Sequence, residues 1–232
     1  MTSVAVVTGA SRGIGRETAI NLASDGCQVL ALARSKEKLN SLAAHLPDSI
    51  TPYPIDLTQS EQIAEFADFV DQNFQEGIDI LINNAGSLIS KSFLELTDDD
   101  WNTMWQMNVM TAVKITRGLA GQMKNPSHIL NISSMGGYQG AKKFPPITAY
   151  SVAKGGLSIL TECLVEIFRG QNIKCNALCI GAVQTEMLEQ AFPGMEAPLT
   201  ARQMGSYIAD FAQNGHTFYN GKVLPVALED PE

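Results

Sequence analysis

At 232 residues, with 45% hydrophobic side chains, the chain suits one α/β domain with a real core and is too apolar for a disordered protein. Its formal net charge of −8 argues against nucleic acid or an anionic membrane as partner, because like charges repel. Any anion it binds must therefore be held by a local site.

Short apolar runs alternate with longer amphipathic ones along the chain. Val4–Thr8 is a β-branched run ended by Gly9. Arg16–Asp25 predicts a helix closed by Gly26. Val29–Ala33 is a second strand, Lys36–Leu46 a helix stopped by Pro47, and Ile50–Ile55 a third strand. Ser60–Phe74 places Ile63, Phe66, Ala67 and Val70 at helical spacing. Ile78–Asn83 is a fourth strand. Thr97 and Asp98 are N-cap residues for a helix running through Val113. His128–Ser133 is a fifth strand, Ala149–Arg169 a long helix closed by Gly170, and Ile173–Cys179 a sixth strand. Thr200–Gln213 predicts a further helix and Lys222–Val226 a last strand. Strands separated by helices imply βαβ units, a parallel sheet and right-handed crossovers with helices on both faces. Gly136–Thr148 and Leu188–Leu199 are the expected irregular stretches. Loops of that length in a compact domain are usually functional.

The four cysteines, Cys27, Cys163, Cys175 and Cys179, include no C-x-x-C pair and suggest neither a zinc site nor a disulfide framework; Cys175 and Cys179 have a metal-like separation but flank a strand expected to be buried, and read as inert core thiols. Free thiols fit a reducing compartment. The start of the chain lacks the pattern of a signal peptide, and no run is long enough to span a bilayer. The expectation is a cytoplasmic protein with no metal site.

Gly9-Ala10-Ser11-Arg12-Gly13-Ile14-Gly15 joins the first strand to the first helix. Glycines there permit a tight turn and let the backbone approach a pyrophosphate, which the helix N-terminus then attracts. A plain tight turn is the competing reading of this segment alone. With Thr8, the segment resembles the cofactor motif of the short-chain dehydrogenase/reductase family. Further motifs follow in that family's order from about Val4 to Val226. The resemblance implies a single-domain, Rossmann-like, doubly wound parallel sheet of about seven strands spanning residues 1–232. It also implies a nicotinamide cofactor and a short substrate lid near 186–199.

Members that bind NAD usually carry an acid at the end of the second strand. Ala33 stands there, followed by Arg34. Arg34 and Arg12 suit the 2′-phosphate of NADP(H), since the guanidinium fork matches such an oxyanion. Two solvated arginines are the alternative. Asp56 and Leu57 resemble the family's adenine-contacting pair, although Asp56 also fits a turn cap. Asn83-Asn84-Ala85-Gly86 resembles the motif beside the cofactor ribose, through Asn83, Ala85 and Gly86. Gly9, Ser11, Gly13, Ile14 and Gly15 complete the expected cofactor contacts at the first turn.

Tyr150 and Lys154 are spaced i, i+4 and so share a helix face. A nearby ammonium stabilises phenolate and lowers a tyrosine pKa from about 10, making the phenol a usable acid or base. The family's serine, which polarises a carbonyl, matches Ser134, with Ser133 as its structural competitor at the strand end. Sixteen residues separate Ser134 from Tyr150, more than the family usually shows. Lys142, Lys143 and Phe144 lie in that longer loop, beside substrate or in solvent. Asn108 is either a satisfied core amide or the family's asparagine that holds a water near the lysine. The set Asn108, Ser134, Tyr150 and Lys154 implies catalysis, with Tyr150 and Lys154 also touching the cofactor.

After the sixth strand Ile180-Gly181 replaces the family's Pro-Gly. Gly181, Val183 and Thr185 are expected near the nicotinamide carboxamide. The chain's end, Ala227–Glu232, lacks the usual Asp-Gly-Gly. A homodimer through the helices carrying Asn108 and Tyr150, or a homotetramer, is expected. The implied activity is NADP(H)-dependent interconversion of a carbonyl and an alcohol on a small-molecule substrate. A 3-oxoacyl-thioester reductase is a narrower version, and a non-catalytic NADP(H)-binding protein is the alternative class.

Overall fold

The computed structural model describes residues 2–228. The Thr2–Gly26 segment opens with β1 (Val4–Thr8) and α1 (Gly13–Ser24). Then follow β2 (Gln28–Ala33), α2 (Lys36–Ala43), β3 (Ile50–Pro54), α3 (Ser60–Asn73) and β4 (Ile78–Asn83). The next helices are α4 (Asp98–Trp105) and α5 (Thr111–Leu119), followed by β5 (Met123–Ser134), α6 (Thr148–Ile167) and β6 (Ile173–Ile180). The chain continues through β7 (Val183–Gln184), α7 (Glu186–Ala191), β8 (Leu199–Thr200), α8 (Ala201–Asn214) and β9 (Val223–Val226).

Seven strands form one parallel sheet in the order β3-β2-β1-β4-β5-β6-β9. This is the doubly wound arrangement expected from the alternation of runs. Strand order reverses between β1 and β4, and ligands of such sheets sit beyond the strand ends at that switch point.

Alternate residues of β1 feed opposite layers. Ala5 and Val7 join α1, α2 and α8 residues such as Leu22, Leu39 and Ile208, whereas Val4 and Val6 join Phe66, Ile115 and Leu164 from α3, α5 and α6. This period-2 division explains why a strand buried on both faces reads as a continuous apolar run. Capping boxes fix two of the outer helices: Thr97 with Asp100 at α4, and Thr200 with Gln203 at α8.

The structure revises several expected boundaries. Helix α1 starts at Gly13, three residues earlier than its apolar pattern, because the phosphate-loop glycines form its first turn. The helix after Thr97 runs through Val113 as expected, but Gln106–Met110 forms a π-helical turn between α4 and α5. Strand β5 begins at Met123, before its apolar stretch, where β4 residue Ile78 pairs with it. Helix α6 ends at Ile167, short of Gly170. The stretch expected to be irregular near 188–199 contains most of α7 and is flanked by the short β7–β8 pair. Cys175 and Cys179 are buried as expected, as is Cys27, whereas Cys163 is exposed. Of the atypical C-terminal residues, 229–232 lie outside the described region.

Beneath α8, the fully buried His128 of β5 is held between Ala212 O (2.9 Å from Nδ1) and Asn176 Nδ2 (3.0 Å from Nε2). The amide donates to Nε2, so only the neutral ring with a proton on Nδ1 satisfies both partners. Burial accordingly pushes the imidazole pKa down to about 4. Between pH 6.5 and 4 the unfolded chain binds this proton and the folded one does not, so stability falls as pH drops through that window. We expect this loss to approach roughly 3 kcal/mol. Urea unfolding of wild type and His128→Gln at pH 7 and pH 4 checks it: the variant's pH dependence should be flatter, and parallel curves would refute the assignment.

Candidate active site

A cavity of about 360 Å³ opens at the switch point. Gly9, Ser11, Arg12, Gly13, Ile14 and Gly15 line one part of it, and Ala33, Arg34, Lys38, Asp56 and Leu57 another. Ala85, Gly86, Asn108, Tyr150, Lys154 and Thr185 complete the expected residues on its wall. Groups drawn from separate motifs thus share one concave surface.

The phosphate-loop side is tied together by Thr8 and Asn84. Thr8 Oγ1 donates to Ile82 O (3.2 Å) and accepts from the N–H groups of Asn84 and Ala85 (both 3.0 Å). The Asn84 amide donates back to Thr8 O (2.9 Å). This brings the end of β4 so close to the turn that no side chain fits between them. A Cβ on Gly15 would lie 2.3 Å from Asn84 Nδ2 and 2.5 Å from Gly9 O, and one on Gly9 would lie 2.9 Å from Ala85 Cα. Gly9 and Gly13 also adopt φ of 68° and 55°, which glycine tolerates best. Such a bare backbone cradle at a helix start fits a pyrophosphate.

Asn84 is the residue of the pair that faces this cavity. Asn83 does not line it: its amide is buried and donates to Asn131 Oδ1 (2.8 Å) and Thr116 Oγ1 (3.1 Å). The sequence named Asn83 where the geometry selects Asn84, because one step beyond the strand end reverses the side chain's face. Asp56 lines the cavity and is also a turn cap. Its carboxylate accepts from Thr58 N (2.9 Å) and Oγ1 (2.8 Å), and these bonds, aided by nearby Arg34 and Lys114, hold its pKa below the usual carboxylate value. Lys38 adds a third cation on the Arg12–Arg34 side that sequence reasoning missed; on the surface of a helix it carries no special spacing.

At the other end, Tyr150 is half-buried and Lys154 fully buried on α6. Lys154 is fixed twice to β5. Its Nζ donates to Ile132 O (2.7 Å), and its main-chain oxygen accepts from Ser133 Oγ (2.9 Å). Ser133 thus anchors the helix. Of the two serines at the end of β5, Ser133 lines the cavity and the expected Ser134 does not; a bond from the Ser134 side chain favours the ionised Tyr150 phenol, but burial outweighs this and raises the phenol to about 12. Burial lowers Lys154 to about 8. The expected lowering of Tyr150 by the lysine is not found here: the ammonium, 5.7 Å from the ring centroid, is directed to the Ile132 carbonyl.

Asn108 lies in the π-helical turn, a feature that recurs at functional sites. Its side chain is satisfied by donating to Ser87 O (3.0 Å) and Met104 O (2.9 Å) and accepting from Ser87 N (3.3 Å). A Cβ on Gly86 would stand 2.6 Å from Asn108 Oδ1 and 3.5 Å from Lys154 Nζ, so these three residues meet. Gly181 and Val183 stand off the cavity wall, where Gly181 N donates to Val226 O (2.9 Å) and Val183 pairs with Leu199. Met107 and Met187 take wall positions that no motif indicated.

Gly15→Ala should cost roughly 1–3 kcal/mol by overpacking and open the cradle, whereas Gly121→Ala, with nothing within 4 Å of its added carbon, should be close to neutral. Thermal unfolding of both variants measures this, and equal effects would remove the close-approach argument.

The short chain dehydrogenase family profile matches residues 3–196. A 3-oxoacyl-[acyl-carrier-protein] reductase FabG from Thermotoga maritima is 32% identical over 192 residues, covering 81% of this chain and 76% of that protein. Nodulation protein G from a Rhizobium species is 30% identical over 234 residues, covering 96% and 94%. The fold is shared with the structure of L-sorbose reductase from Gluconobacter frateurii, with a TM-score of 0.87 at 24% identity over 100% of this chain and 97% of that one. A glycine cradle at the switch point, a Tyr150–Lys154 pair across the same cavity, and sequence agreement over most of the length place the chain in the short-chain dehydrogenase family of nicotinamide-dependent oxidoreductases.

Proposed function

We propose that this chain is an NADP(H)-dependent oxidoreductase that interconverts a carbonyl and an alcohol on a small molecule. The supporting observation is that one cavity joins the phosphate loop and a cluster of Arg12, Arg34 and Lys38 to Tyr150 and Lys154. The loop glycines would hold the pyrophosphate, and the cations a 2′-phosphate. Ala33 puts no carboxylate against that phosphate. When bound, the cofactor supplies or accepts the hydride.

The chain's own groups then handle the oxygen and the proton. Ser134 and Tyr150 hold the carbonyl oxygen as it gains negative charge. Tyr150 is protonated at neutral pH, since its pKa lies near 12, and is therefore set to donate in the reducing direction. In the reverse direction it takes the proton of the alcohol, which requires a stabilising charge nearby. Lys154 supplies that charge when protonated and also holds the cofactor's ribose. Asn108, meeting Gly86 and Lys154, keeps that side of the cavity in place.

Tyr150→Phe should reduce turnover at least a hundredfold while NADPH binding is retained. NADPH oxidation against ketones, aldehydes and 3-oxoacyl thioesters, with NADH in parallel, is the test. The Thermotoga relative's name makes a 3-oxoacyl thioester the first substrate to try. Full activity of the phenylalanine variant would defeat the tyrosine assignment. Equal rates with NADH would defeat the cofactor assignment.

The same reading includes a homodimer through α4 and α6. Trp105, Val152 and Ile159 leave apolar surface exposed on these helices by 43%, 52% and 60%. Sedimentation should give twice the monomer mass of 25.0 kDa, and Ile159→Glu should shift it toward monomer. A monomeric wild type would refute this assembly.

A further inference from the structure

Arg12 and Glu186 are distant in sequence, yet their Nη1 and Oε2 atoms stand 2.8 Å apart. Their ion pair reaches from the N-cap of α1, within the phosphate loop, to the first residue of α7. The same carboxylate oxygen lies 4.0 Å from Lys38 Nζ. All three residues line the cofactor cavity. Thr185, whose hydroxyl caps α7 by accepting from Leu188 N (3.2 Å), also lies against the phosphate loop: a Cβ on Gly13 would come within 3.6 Å of its methyl carbon. The segment that begins at Glu186 is therefore built directly onto the loop that would cradle a pyrophosphate.

A carboxylate in this position is an internal anion among the cations proposed for the 2′-phosphate. A phosphate monoester carries more charge and offers the guanidinium fork a better match. Two anions sharing Arg12 and Lys38 repel one another. The ion pair is about half exposed, and such pairs are weak. The phosphate should therefore displace Glu186 at little cost. A ribose lacking the phosphate brings no such competitor.

We propose that Glu186 is the residue through which the cofactor's 2′-phosphate controls the segment 186–199. This rests on the NADP(H) reading above. Without a 2′-phosphate, Glu186 clasps the first turn of α7 to Arg12 and Lys38. With it, both cations turn to the phosphate and the turn is released. Met187, the next residue, lines the same cavity, so the release reaches the cavity wall. Glu186 thereby makes the segment responsive to the 2′-phosphate that NADP(H) carries and NAD(H) lacks.

Amide hydrogen exchange on the full chain tests this with two probes, 2′,5′-ADP and 5′-AMP, in wild type and Glu186→Gln. In wild type, 2′,5′-ADP should speed exchange across 186–199 and 5′-AMP should not. In Glu186→Gln the segment should exchange fast without nucleotide, and 2′,5′-ADP should bind roughly 2- to 5-fold tighter than in wild type. If wild type prefers 2′,5′-ADP but exchange in 186–199 stays unchanged, or the variant shows no gain in affinity, the clasp is overturned and the cofactor reading stands. If both nucleotides bind wild type equally well, the cofactor reading fails and the clasp falls with it.

Discussion

The site depends on the knot that Thr8 and Asn84 tie between the ends of β1 and β4. One threonine hydroxyl meets a carbonyl and two N–H groups of the β4 end, and one asparagine amide returns a bond to β1. These bonds tie the end of β1 to the loop that follows β4. The two segments approach so closely that Gly9 and Gly15 have no room for a side chain. The bare backbone this leaves is what lets a phosphate-bearing ligand come near the helix start.

A second constraint sits across the sheet. The amides of Asn83 and Asn131 bridge β4 and β5, and Asn131 continues to Thr161 of α6 through a 2.8 Å bond. Buried amides are costly unless paired, so this chain of bonds favours one registry of strands and helix. Ser133 adds its bond to the Lys154 carbonyl about two turns nearer the site. The helix that carries Tyr150 and Lys154 is thus tied to β5 by Asn131 and Ser133. The polar cluster behind α6 and the glycine cradle at β1 fix the two ends of one cavity.

Charge is distributed unevenly between those ends. At the catalytic end, burial pushes the Tyr150 phenol up and the Lys154 ammonium down, moving each group toward its neutral form. At the other end, Arg12, Arg34 and Lys38 gather on one side of the cavity in a chain whose net charge is −8. A local cluster of cations in an acidic protein directs an anionic ligand to one place and repels it elsewhere.

Local sequence determined the succession of strands and helices, the parallel sheet, and the motifs at the strand ends. Periodicity and end signals are local, and they reported those elements to within a few residues. The resemblance to a known family, and not periodicity, singled out Tyr150, Lys154, Asn108 and the glycine turn, which the fold brings to a common wall. Tertiary structure alone decided which of two adjacent residues faces the cavity. Asn84 rather than Asn83 does so, and Ser133 rather than Ser134 anchors the helix, because a side chain's direction at a strand end depends on where the strand stops pairing. The π-helical turn at Asn108 was equally hidden, since it arises where α4 and α5 must both pack and the loop at Ser87 must be bonded. Least legible was the meeting of Arg12, Lys38 and Glu186. Contacts between residues so far apart in the chain follow from how the layers pack, and no local pattern encodes them.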